Sequence, residues 1–350
     1  MYDFEKYIKP VWEGNMVIDE SFMPIEKEDG SIDPIPLLYK AEKIISVKNS
    51  KHTITYQEGA DYILKDGKLE ILKDGNIEKV KYKDYYLDEN VPGGCFPRTG
   101  GGFIYFGEAD AMHKLQYVVT YIHGETWQGP LPPYQGVNLP ITISKLKNKE
   151  PLRIVVYGDS ITTGANSSKV INQMPHIDDW CTMTVKALKK AYASDHIESI
   201  NTAVGGTVSS WGAEHAYDRA AKFKPDLVFI AFGMNDGSGR VSKDDYLRHI
   251  KTIMDTVWEV NPDCEFVLVA TMLANGEVAN FLGNQEEYLP ALNTLKGNMV
   301  AIADMTTMHK YLLKRKRYYD MSGNNVNHPN DFLARIYAQV MAATLIESRL

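Results

Sequence analysis

The 350-residue sequence predicts a doubly wound α/β domain built on a parallel sheet and preceded by an all-β sandwich. Three observations lead there. Apolar runs of strand length alternate with amphipathic helical stripes in the second half, as strands buried on both faces require. Short β-prone runs divided by turn residues fill much of the first half. A charged stretch ending in proline, Lys145 to Pro151, separates the two patterns.

In chain order, β-prone runs fall at Ile44–Val47, Thr53–Tyr56, Tyr62–Leu64, Leu69–Leu72, Tyr117–Ile122 and Ile141–Ile143. Asp66-Gly67, between two of them, is a hairpin signal. No helical period interrupts the series, so residues 1–144 read as a sandwich of aligned or jelly-roll-like sheets, although the first 40 carry no clear assignment. Pro92-Gly93-Gly94 and Gly100-Gly101-Gly102 are turns; they lack the Gly-Lys-Ser/Thr ending of a phosphate-cradling loop.

Residues 145–151 form the expected linker, either a tether or a surface loop between packed domains, and residues 152–350 the α/β domain. Here Ile154–Tyr157, Leu227–Phe232, Phe266–Ala270 and Val300–Ala303 are near-continuous apolar strands. Ile177, Cys181, Val185, Leu188 and Tyr192 share one helical face, as do Tyr246, Ile250, Ile253 and Val257. Ser242, three residues before Asp245, has the spacing of a capping pair for the second of these helices.

The first apolar strand ends in Gly158-Asp159-Ser160, which puts Ser160 just past the carboxyl end of a buried strand, where open α/β sheets bind ligands. Glycine allows the sharp turn, and Asp159 could hold nearby loop N–H groups. A helix-capping serine would give the same local pattern. Gly205-Gly206, in a loop after a strand expected just before Asn201, lets a backbone N–H approach a reacting oxygen; after the strand Leu227–Phe232, the Asn235 amide offers a second donor. His328, in Asn325-Val326-Asn327-His328-Pro329, precedes a last helix whose apolar face holds Leu333, Ile336, Tyr337, Val340 and Met341, and is free to reach Ser160 as general base. Each signal alone also fits a turn, cap or surface residue. Three of the four sit at successive strand ends, and together they describe a nucleophile, two oxyanion donors and a base.

These blocks resemble those of the SGNH, or GDSL, hydrolases, in the family's order, over roughly residues 152–350. The resemblance implies Ser160 as nucleophile, an oxyanion hole from the Ser160 N–H, Gly206 and Asn235, and His328 as base. The family usually carries aspartate three residues before the histidine, where this chain has Asn325. Orientation of His328 therefore falls to Asn325, Asp320, Asp331 or a backbone carbonyl. A β-sandwich ahead of such a domain is similar to the arrangement of family 2 carbohydrate esterases, which remove acetyl groups from sugars.

By that resemblance the chain is expected to be a serine esterase releasing O-acetyl groups from an acetylated oligosaccharide through an acyl-serine intermediate, with no cofactor. A lipase-like or thioesterase acyl hydrolase is the enzymatic alternative, and a catalytically weak carbohydrate-binding protein the other. Trp180, Trp211 and the loop from His123 to Trp127 are candidates for an aromatic substrate wall, with core packing the competing explanation.

Composition narrows the partners. A net charge of −7 argues against a general nucleic-acid binder and suits a neutral substrate such as a sugar, so Lys314-Arg315-Lys316-Arg317 reads as a solvated helix face. With 44% apolar and 24% charged residues, neither a disordered nor a membrane-spanning class is indicated. Cys95, Cys181 and Cys264 have no metal-ligand spacing and read as reduced and buried. The amino-terminal residues lack an apolar core for a signal peptide, so a cytoplasmic location is expected and the Asn166-Ser167-Ser168 glycosylation match has no consequence.

Overall fold

The computed structural model describes residues 2–347. Its second half is organised by five parallel strands in the spatial order Ile197–Asn201, Leu152–Gly158, Leu227–Ala231, Glu265–Ala270 and Val300–Asp304. The chain thus starts at the second position, fills one edge, then crosses back and continues outward. That reversal leaves a crevice at the carboxyl ends of the first and third strands, the place where this topology binds ligands.

Alternating strand residues feed two cores, which is why the runs are apolar without a break. Ile154, Val156, Phe229 and Val267 pack with the helices Trp180–Ala191 and Asp331–Leu345. Val155, Tyr157, Val228, Ile230 and Leu268 pack with the helix Lys243–Val260. Side-chain caps start these helices: Asp179 accepts from the Thr182 N–H, Ser242 from Asp245 and Asn330 from Leu333.

The first half is β-rich and largely antiparallel. Met16–Phe22, Tyr117–His123, Ala41–Asn49 and Thr55–Tyr56 form one sheet in that order; Tyr86–Leu87, Phe103–Tyr105 and Cys95–Pro97 form a smaller one. The hairpin Tyr62–Lys65 with Lys68–Ile71 closes through Asp66 and Gly67 at φ of 51° and 77°, the paired positive values that tight hairpins favour. The strand Met16–Phe22 has no counterpart among the sequence expectations. It bulges between Val17 and Glu20, with Asp19 at φ 46°, and carries a fully buried glutamate, so no alternation survives in its sequence.

Three expectations are corrected. Ile141–Ile143 is not a strand but part of the helix Pro140–Asn148: Pro140 suits the first helical position, the Glu265 carboxylate accepts from the Ile141 and Thr142 N–H groups, and Ile143 and Leu146 are buried. Residues 145–151 hold the last turn of that helix and the entry to the parallel sheet. Lys149 is left-handed at φ 57°, and the Lys145 ammonium contacts Asp226 at 2.6 Å. Lys316 is no part of a solvated face: it pairs at 2.7 Å with Glu20, both side chains wholly buried.

That pair belongs to a wide seam between the halves. The Met23 N–H donates to Asp320, the Gln116 amide to the Tyr319 and Ser322 carbonyls, and one apolar cluster runs from Val17, Val47 and Tyr121 through Ile143 and Leu146 to Val156 and Ile336. Among the described residues no helix is long and apolar enough to cross a membrane.

Candidate active site

The first parallel strand stops at Gly158, where an added Cβ would meet the Ala231 carbonyl at 2.3 Å and Thr162 Oγ1 at 2.4 Å; only glycine fits between the two central strands. Asp159 then turns inward. Its carboxylate accepts from the Ile161 N–H at 3.0 Å, and burial, opposed by such backbone hydrogen bonds, raises its pKa to about 7. With Asp159 buried, Ser160 is left facing the crevice, half-buried. Trp180 braces this turn from below, its indole N–H donating to the Ile161 carbonyl at 2.9 Å.

Gly205 and Gly206 border the serine. A Cβ on Gly205 would lie 3.7 Å from the Ser160 Cβ, and Gly206 is exposed, left-handed at φ 78°, with open space where a side chain would project. Asn235 opens the short helix Met234–Ser238 after the third strand, and its Nδ2 donates to the Thr207 carbonyl at 2.9 Å. A carboxamide nitrogen carries two hydrogens, so this bond orients the group and leaves one N–H for a reacting oxygen. Asp236 fixes the same loop by accepting from the Ser209 N–H and hydroxyl.

His328 completes the cluster. Its Nε2 lies 2.9 Å from Ser160 Oγ, within reach for proton transfer. The loop that carries it is tied by one side chain, since Asn324 Oδ1 accepts from the N–H groups of Val326, Asn327 and His328. Ser160 and His328, expected from a strand end and a loop, are therefore in contact, with Gly205 beside the serine and Asn235 tied to the same loop through Thr207.

The residues expected to orient His328 lie elsewhere. Asn325 is fully buried and left-handed at φ 70°, which turns its side chain away to accept from the Tyr85 hydroxyl at 3.0 Å and donate to the Tyr105 carbonyl at 2.7 Å. Asp320 accepts from the Met23 and Arg317 N–H groups, and Asp331 from the Ser168 N–H. Burial raises the pKa of both carboxyls, that of Asp331 to about 7.

Instead, Asn166 Oδ1 stands 2.7 Å from His328 Nδ1, and a Glu108 oxygen lies 3.6 Å from the same nitrogen. Neither was anticipated. Asn166 carries only a glycosylation pattern in the sequence and Glu108 only its place in an acidic turn, and both are joined to the histidine by tertiary contacts alone.

The aromatic candidates are held by packing partners of their own. Trp180 is completely buried in the core. His123 stacks on Tyr39 at 3.7 Å, and Trp127 packs on Tyr311 at 4.8 Å, in a cluster around the far end of the antiparallel sheet. Trp211 is half-buried and stacked on His215 at 4.3 Å. Burial lowers the pKa of His123, which suits a packed neutral ring.

A serine at a strand end with a histidine in hydrogen-bond contact is the arrangement that nucleophilic catalysis uses. Residues 156–335 match the GDSL-like Lipase/Acylhydrolase family, and the chain belongs to it. No curated protein matches the chain. Among solved structures it is similar to a two-domain esterase active on acetylated mannans, at 21% identity and TM-score 0.47, over 59% of this chain and 52% of that one; it therefore spans about half the length of that protein. It is also similar to an acetylxylan esterase from Geobacillus stearothermophilus, at 16% identity and TM-score 0.45, over 57% of this chain and 97% of that one.

Proposed function

We propose that the protein is a serine esterase that removes O-acetyl groups from carbohydrate, with Ser160 as nucleophile and His328 as general base. The observation that carries this reading is the 2.9 Å contact between Ser160 Oγ and His328 Nε2, beside the Gly206 backbone and the oriented Asn235 amide. His328 takes the hydroxyl proton as Ser160 Oγ attacks the ester carbonyl. The developing oxyanion receives hydrogen bonds from the Ser160 and Gly206 N–H groups and the second Asn235 N–H. His328 returns the proton to the departing sugar hydroxyl, leaving an acyl-serine, and then activates water to release acetate.

The rim of this crevice supports a hydroxylated leaving group. Glu108 and Gly206 are exposed and Asn166 stands beside the histidine, so the groups flanking the serine are polar hydrogen-bonding partners for sugar hydroxyls. Acetate release from acetylated xylan and mannan oligosaccharides, set against a chain-length series of nitrophenyl esters, tests the proposal. Turnover is expected to be greatest with acetyl groups on sugars. Activity rising with acyl length would instead identify a lipase-like or thioesterase hydrolase.

A further inference from the structure

The histidine loop precedes the last helix of the α/β half, but two of its partners depend on a segment from the β-rich half, residues 106–110. Asn166 Nδ2 donates to the Ala109 carbonyl at 3.3 Å. An amide anchored through its nitrogen must present its oxygen on the other side, here to His328 Nδ1 at 2.7 Å. Only a protonated Nδ1 can donate to that oxygen, so Nε2 is bare and ready to accept the Ser160 proton. The carbonyl of Ala109, a residue left-handed at φ 54°, thereby selects the tautomer that the reaction needs.

A neutral amide cannot balance the positive charge that His328 gains when it takes the proton. The acid that the family pattern places three residues before the histidine is here Asn325, turned into the structure. The carboxylate nearest the imidazole is Glu108: one oxygen lies 3.6 Å from Nδ1, and the other accepts from Asn324 Nδ2 at 3.0 Å. Asn324 also holds the His328 N–H, so carboxylate and imidazole share one anchor. Burial works against the ionised carboxyl, yet the neighbouring His328 ring and the Asn324 hydrogen bond hold its pKa below the ordinary glutamate range. Gly323 makes the assembly sterically feasible, since a Cβ there would fall 2.4 Å from the Asn166 Cβ.

We propose that the β-rich half completes the catalytic apparatus: Ala109 fixes the Asn166 amide that sets the His328 tautomer, and Glu108 supplies the negative charge that stabilises the imidazolium. Asn166 and Glu108 are positioning residues, and the inference rests on the Ser160–His328 esterase reading above. It makes activity depend on how residues 106–110 dock, a dependence the α/β half alone would not have.

The test uses the full chain and a nitrophenyl acetate assay, with Ser160→Ala as reference. Glu108→Gln preserves shape and hydrogen bonding to Asn324, so it should lower kcat about tenfold, the scale of a lost charge-assisted hydrogen bond, with KM and Tm little changed. Asn166→Ala should cost more, on the order of 10²-fold, because Nδ1 loses the amide oxygen it donates to. The decisive comparison is Glu108→Asp, which keeps the charge on a side chain one methylene shorter and should retain more of kcat than Glu108→Gln does. A merely structural role for Glu108 would not follow the charge in this way. Wild-type kcat in Glu108→Gln, or a Glu108→Asp variant no better than Glu108→Gln, overturns the inference while Ser160→Ala still upholds the esterase. Turnover retained by Ser160→Ala would overturn that esterase reading and the inference with it.

Discussion

In the α/β half, the candidate catalytic residues leave buried strands or a tied loop, and their positions follow from the sheet: three strand ends converge at the point where the strand order reverses. The β-rich half has bulged strands and buried charges, and it reaches the site through one turn, residues 106–110, and a seam of polar contacts. The first half of the chain thus supports a site that the second half builds. A sheet buried on both faces offers rigid anchor points, whereas a seam supplies partners that no single element could place.

The sharpest way to break this division is to remove chemistry without touching the seam. Ser160→Ala deletes a small, half-buried hydroxyl and His328→Ala the base; each should reduce ester turnover by about 10⁴-fold or more, while Tm stays close to the parent. Ester assays with thermal melts check this, and substantial remaining turnover in either variant would move the chemistry elsewhere.

Cutting the seam should do the reverse. Glu20 accepts from the Leu38 N–H and the Tyr121 hydroxyl as well as from Lys316, all out of contact with solvent. Lys316→Met strands that carboxylate and should cost about 3–5 kcal/mol of stability, read from urea unfolding. A loss under about 1 kcal/mol would show that the pair is not the anchor of the β-rich half.

A pH series sharpens the comparison on the α/β side. Asp331 and Asp159 are buried with pKa values raised to about 7, so the native state holds protons that the unfolded chain has already released. Their contribution is therefore fully present below the ordinary carboxylate range and is lost as pH rises through about 7. Asp331→Asn keeps an acceptor for the Ser168 N–H and should flatten the fall of Tm between about pH 4 and 7, with the Asp159 share remaining. An unchanged slope would mean that Asp331 is ionised in the folded protein.

The smallest effect is expected at the far end of the antiparallel sheet. Trp127→Ala removes a ring packed on Tyr311 and remote from the crevice, so acetate release from oligosaccharide and from nitrophenyl acetate should stay within about twofold of the parent. A selective loss on oligosaccharide would return this cluster to the substrate site.

The sequence alone determined the parallel sheet and the Ser242 cap, and it singled out Ser160 and His328, which the fold brings into contact. Each is written locally: an apolar run as long as a strand, a glycine at its end, a polar group in the turn that follows. The helix Pro140–Asn148 escaped because Ile141-Thr142-Ile143 has strand propensity, and what outweighs it is a carboxylate from Glu265, more than a hundred residues away. Only the tertiary structure decided what holds His328. The left-handed turn at Asn325 sends the expected orienter into a buried hydrogen-bond network, and the groups beside the imidazole, Asn166 and Glu108, come from opposite halves of the chain. No spacing or periodicity encodes such a meeting, because it is set by how two packed regions share one seam.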